Sequence, residues 1–238
     1  MSLLVEQHPH ASPYLDQISY GYSLRDDRVN RPAEIHWHLV LVKRHNQRFV
    51  VLVGPWQSAG QAAWQGDAEL IWIRFRLGSF LASLPVAQYT NNELPLAQRS
   101  PNRFQLLGDD WEFPDIEQVE DFIAKLKKSG SLVHDPLIED VLAGYQPELA
   151  PRTVRHRFLQ ATGLSQSEIR QYQRAKRALE LLSSGRSIAD TLFELDYFDQ
   201  AHLNRSLKRW FGQTPGQLVR GFQTRNCRSV QDSQLVER

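Results

Sequence analysis

Among its 238 residues the chain has a single cysteine, Cys227. One thiol closes no intrachain disulfide and supplies no cysteine cluster for zinc. No apolar run approaches the ~18 residues needed to cross a bilayer. The opening MSLLVEQHPH lacks the basic and apolar regions of a secretory leader. There is no low-complexity segment, no sequence repeat, no nucleophile-elbow motif and no phosphate-binding loop. These absences argue against a disulfide-stapled, membrane-spanning or recognisably catalytic chain. They set the expectation of a cytoplasmic, non-enzymatic protein without a cofactor.

Net charge is also nearly missing, at +1, but this is a cancellation. Residues 1–100 hold nine basic and eight acidic groups, and residues 101–150 hold four and eleven. Residues 151–225 hold thirteen and six, a net of +7. Charge segregated in this way points to a polyanion-facing module joined to something else.

The first 115 residues read as strands. DQISYGYSL alternates, and HWHLVLVKRHNQRFVVLVGPW forms two apolar runs around a polar turn. ELIWIRFRLG sets Ile71, Ile73 and Phe75 against Trp72, Arg74 and Arg76. Short strands between turns predict a small antiparallel barrel or sandwich, with a cupin-like barrel as one form. GSFLASLP (78–85) is expected to be one short helix. His36 and His38 share a strand face, as at the start of a cupin metal site, but no third histidine lies on a neighbouring strand. No metal is therefore expected, and the two are read as half-exposed strand histidines. Trp37, Trp56, Trp64 and Trp72 are read as core or interface rather than as the lining of a ligand cavity.

From Ile116 the pattern becomes helical, with seven helices in roughly 105 residues. Ile116, Val119, Phe122, Ile123 and Leu126 share the first apolar face. Asp135, Pro136 and Gly144 bound the second helix, and the third ends at Gly163. Ser165 and Glu168 form a capping box for a long fourth helix. Asp199 caps QAHLNRSLKRWF, whose buried stripe is Leu203, Leu207, Trp210 and Phe211. Thr214, Pro215 and Gln217 start the seventh. The predicted organisation is a β-rich domain (1–115), an all-α domain (116–222) and a polar tail (223–238).

The helices fall into two pairs, 136–143 with 151–162 and 188–195 with 199–211, separated by the long helix. The second member of each pair carries cations on its outer face: Arg152, Arg155, His156 and Arg157, then His202, Arg205, Lys208 and Arg209. A helix of this kind fits the major groove of B-DNA, its N-terminal part against base edges. Arginine's planar fork suits guanine, and lysine and later arginines suit phosphates. Two such helices on a common spacer would enter successive grooves about 34 Å apart. Arg152, Arg155 and His156 are the base-facing candidates of the first pair, and Ala201, His202, Asn204 and Arg205 those of the second. Arg157, Arg186, Lys208 and Arg209 are the phosphate candidates.

The stretch from Gly163 to Leu218 resembles the DNA-binding domain of the AraC/XylS transcription regulators. Arg174, Ala178, Leu181, Leu182, Gly185, Ser187, Ile188, Ala189, Tyr197, Asp199, Gln200, His202, Leu203, Arg205, Leu207, Lys208, Phe211, Gly212, Thr214 and Pro215 match that family's signature in register. The resemblance implies two helix-turn-helix subdomains and sequence-specific promoter binding beside RNA polymerase. Leu192 stands where the family has a small residue, Asp196 where it has glycine, and the turn GYQPELAP is longer and richer in proline. VVLVGPWQSAG, IWIRFRLGSFLASLP and NELPL resemble the N-terminal domain of one AraC-family subgroup, with Leu77 in place of a proline. That resemblance implies a barrel that senses a small-molecule effector or dimerises. The expected partner is thus double-stranded DNA, with RNA polymerase, an effector and a second copy of the chain as further partners. The competing class is a cupin-like metal- or ligand-dependent enzyme with a helical partner-binding half; the missing third ligand beside His36 and His38 counts against it.

Overall fold

The computed structural model describes residues 3–217. The polar tail, Cys227 and the seventh helix beyond Gln217 lie outside the described residues. The first part of the chain is mainly β: β1 Leu3–His8, β2 Leu15–Ser23, β3 Asp27–Arg31, β4 His38–Arg44, β5 Gln47–Val53, β6 Gly60–Trp64, β7 Ala68–Phe75, β8 Ser79–Leu81, β9 Glu93–Pro95, β10 Gln98–Ser100, β11 Arg103–Leu106 and β12 Asp109–Glu112. Helices follow: α1 Val119–Lys128, α2 Leu137–Ala143, α3 Pro151–Thr162, α4 Gln166–Ser183, α5 Ile188–Glu194 and α6 Gln200–Phe211, with β13 Leu132–His134 between α1 and α2. A seventh helical segment starts at Pro215.

The main sheet runs β1-β2-β7-β4-β5-β9. All of its pairings are antiparallel. The β4–β5 hairpin turns at His45 and Asn46, with His45 at φ +51°. Alternation on β7 falls as the sequence reads: Ile71, Ile73 and Phe75 are buried, and Trp72 and Arg74 half-buried. One face of the sheet packs Ile18, Leu39, Leu41, Leu52, Ile73 and Phe75 into the principal core. Trp37 belongs to that core, its ring stacked on Phe75 at 3.6 Å and its indole N–H donating to the Ser79 carbonyl at 2.6 Å. The opposite face gathers Val40, Val42, Ala68 and Leu70, with Trp64 and Trp72 edge-to-face beside them.

The segment expected to be a helix at 78–85 is instead a strand and turn. β8 pairs antiparallel with β13, placing Leu81 opposite Leu132, both fully buried. Gly78, at φ +91°, turns the chain into this strand. A partner some fifty residues downstream decides the conformation, a case of tertiary pairing overriding local preference.

The chain divides into two compact units. The first takes 1–29, 34–57 and 61–168; the second takes 30–33, 58–60 and the chain from 169. The buried face of α1 (Val119, Phe122, Ile123, Leu126) packs into the same core as the strands. The change of pattern at 115/116 therefore marks where strands give way to helices rather than where one core ends.

His36 and His38 enter a charged cluster in the first unit. Glu34 Oε1 lies 2.6 Å from His36 Nδ1, and Glu34 Oε2 lies 3.9 Å from His38 Nε2 and 3.7 Å from Arg74 Nη1. Arg74 also pairs with Asp16 at 2.5 Å. Burial works to raise the Glu34 carboxyl, but the His36 hydrogen bond and the charges of both histidines outweigh it and hold the group down at about 2. Burial pushes His38 down to about 4, against the attraction of Glu34 and with the repulsion of His36 and Arg74. Between about 4 and the ordinary histidine value of 6.5 the unfolded chain binds a proton at His38 that the folded chain does not. Stability from His38 is thus complete above pH 6.5 and lost as pH falls toward 4. Urea unfolding should show a loss of up to about 3 kcal/mol across that window, and His38→Gln should flatten this part of the profile.

Candidate nucleic-acid interface

In the second unit, helix α4 lays Ile169, Tyr172, Ala175, Ala178, Leu181 and Leu182 into the interior. Gly185, at φ +87°, ends the segment after it. Ser187 caps α5, its hydroxyl accepting from the Asp190 amide at 3.0 Å. Asp199 caps α6 in the same way, accepting from the His202 amide at 2.6 Å. Gly212 closes α6 at φ +72°. Each end is therefore written in residues whose side chains or backbone freedom satisfy groups that a helix terminus leaves open.

The connection between α5 and α6 is five residues long, Leu195 to Asp199. Asp196 takes φ +52°, the left-handed region where the resembled family has glycine. Tyr197 then turns inward: its amide donates to the Leu192 carbonyl at 3.0 Å and its hydroxyl lies 3.1 Å from Ser206 Oγ. The Arg174 guanidinium sits 4.6 Å from the Tyr197 ring centre, and the His202 ring meets its edge at 5.0 Å. Ala178, Leu182, Leu203 and Leu207 close around it, with the half-buried Leu192 filling the same cluster. Trp210 is fully buried, edge-to-face with Tyr172 at 5.5 Å. The Ala33 and Ala59 amides, on the short segments 30–33 and 58–60 of this unit, donate to the Trp210 and Arg209 carbonyls, both at 2.7 Å.

With Leu203, Leu207 and Trp210 committed to the interior, α6 turns Ala201, Arg205, Lys208 and Arg209 outward. Spacing by three and four residues puts these on one face. Arg209 stacks over Trp210 at 4.4 Å. Asn204 is half-buried at the margin, and Arg186 is exposed ahead of α5. His202 differs from the others: it is half-buried against Tyr197, with Arg174 Nη2 3.5 Å from its Nε2. Sequence reasoning missed Arg174 as a positioning residue. Its place in the family signature was legible, but its use was not, because the contact joins residues 23 positions apart.

In the first unit, α2 ends at Gly144 (φ +96°), and α3 begins at Pro151 and ends at Gly163 (φ +69°). Gly163 is required twice over: a Cβ there would lie 2.3 Å from Thr90 Oγ1. Arg152, Arg155 and His156 are exposed on α3. Arg157 is not free in the same way. Its Nε donates to Asp135 Oδ2 at 2.8 Å and its Nη2 to Oδ1 at 2.5 Å, hydrogen bonds that push the guanidinium pKa further up. Ser165 and Glu168 form the expected capping box. A cavity of about 150 Å³ lies between Leu41, Ile71, Phe113 and Ile116, with the Lys43–Glu69 ion pair at its edge. No cluster of three or more metal-ligating side chains occurs among the described residues. None of the described helices is long and apolar enough to cross a membrane.

Residues 148–221 match the family described as "Helix-turn-helix domain". The chain is also similar to the HTH-type transcriptional regulator VirS of two strains of Mycobacterium tuberculosis, 40% identical over 73 residues in each. That stretch is 30% of this chain, and it spans only 21% of the length of those relatives. No solved structure matches the chain. Residues 148–221 are thus matched as a helix-turn-helix domain. The match takes in α3 to α6 and leaves α2 outside. Because Asp196 occupies a left-handed position that glycine enters without steric cost, Asp196→Gly should stabilise the second unit by about 0.5–1 kcal/mol in chemical denaturation. A destabilisation would show that the aspartate side chain holds the turn.

Proposed function

We propose that the chain is a sequence-specific DNA-binding transcription regulator whose two helix-turn-helix units, α2–α3 and α5–α6, read successive major grooves. The observation that carries this reading is the outward face of α6. A short turn, anchored by the buried Tyr197, presents Ala201, Arg205 and Lys208 to solvent within a domain matched to the helix-turn-helix family. A helix set this way has its N-terminal residues available to base edges and its later cations to phosphates.

Arg205, Ala201 and Asn204 are the base-facing set of the second unit, with His202 beside them and held against Tyr197. Arg152, Arg155 and His156 are the base-facing set of the first. Lys208, Arg209 and Arg186 neutralise phosphate. Arg157 joins them only by giving up its bidentate partner Asp135, so α3 relies on its other cations. The DNA-binding part is assigned to the helices and the β-rich part to sensing or dimerisation, as a small barrel or sandwich. The 150 Å³ cavity supports an effector of only a few heavy atoms, being well below the 300–1,000 Å³ of drug-sized pockets. This reading places the chain in the cytoplasm, working beside RNA polymerase and without enzymatic activity.

Selection of bound sequences from random duplexes tests it: the full chain should enrich one asymmetric block of about two helical turns. Against that duplex, Arg205→Ala should cost about 1–3 kcal/mol and relax preference at one base pair. Lys208→Ala should weaken binding to all sequences alike and reduce the salt slope by about one. No enrichment at moderate ionic strength would overturn the reading.

A further inference from the structure

Two phenylalanines flanking the α5–α6 turn stand almost wholly in solvent: Phe193 is 89% exposed and Phe198 92%. Phe198 directly precedes Asp199, the cap of α6. A residue at that position often packs back onto the fourth helical residue as a hydrophobic staple. That residue here is Leu203, which is fully buried while Phe198 remains outside. The inner place is taken by Tyr197, fixed by Arg174, His202 and Ser206. With its predecessor locked inward and its successor locked as a cap, Phe198 is held outward at the N-terminal mouth of α6.

We propose that Phe198 is a specificity-determining residue that reads the C5-methyl group of a thymine at the edge of the base pairs met by α6. The inference rests on the function proposed above and names one more contact of the same site. The N-terminal end of a recognition helix faces base edges, and the thymine methyl is the apolar feature of the major groove that an aromatic or methyl side chain meets. Ala201, exposed in the first turn, offers a second apolar surface beside it. Phe193 is a poorer candidate, because it lies on α5 and not at the N-terminal end of α6, the end of a recognition helix that faces base edges.

The test uses the full chain and the duplex enriched from the random pool, with each thymine replaced in turn by deoxyuridine. Loss of one buried methyl should weaken wild-type binding about fourfold at one position. Phe198→Ala should bind the thymine duplex about fourfold more weakly and lose no more when that thymine becomes deoxyuridine. Phe193→Ala should keep the wild-type sensitivity. Both side chains are exposed, so unfolding midpoints should not move. The proposal falls if no position responds to methyl removal, or if the response persists in Phe198→Ala. It also falls if Phe198→Ala binds every duplex like wild type yet loses transcription, which would make the ring a protein contact. Absence of any enriched duplex would instead remove the DNA-reading function itself, and this proposal with it.

Discussion

Burial of the Tyr197 ring is the constraint on which the presentation of α6 depends. The ring is covered by the Arg174 guanidinium on α4, edged by His202 on α6 and surrounded by leucines from both helices. A cation over an aromatic face is worth more as the pair is desolvated, and here the pair also ties the long helix to the turn. Once the ring is in place, Asp196 must take its left-handed backbone, Asp199 must cap, and the apolar stripe of α6 must face inward. The outward set of α6 follows from that packing.

The cations of the helical half are not equivalent, although each adds the same unit to the net charge. Arg157 is bound by both of its forks to Asp135, Arg174 packs on a ring, and Arg209 stacks over Trp210. Arg152, Arg155, Arg205 and Lys208 remain on exposed faces. Segregated charge therefore points to a polyanion-facing module while overstating the number of groups that module can offer. The histidines of the strand half show a similar division of labour. His38 opens β4, but His36 lies in the bend before it and not on the strand the sequence suggests; Glu34 two residues upstream engages His36, and Arg74 across the β4–β7 pairing joins the same cluster.

Much of this was legible beforehand because it is local. The cap at Asp199, the box of Ser165 and Glu168, the stops at Gly144 and Gly163, and the period-two pattern of β7 each depend on residues a few positions apart. The strand at 79–81 was not legible, since its identity comes from Leu132 and its neighbours on β13. The same holds for α1, whose apolar face was readable but whose partners, the strands of the principal core, were not.

The sequence by itself determined the caps and stops of the helices from α2 to α6 and the polar and apolar faces of α6, because these are set by short-range hydrogen bonding and by the 3.6-residue period of a helix. Tertiary structure decided which of two adjacent aromatics, Tyr197 or Phe198, would be buried, and which arginine would be spent on an internal carboxylate. Those outcomes turn on contacts between residues such as Arg174 and Tyr197, or Asp135 and Arg157, that lie some twenty positions apart and meet only when the chain has packed.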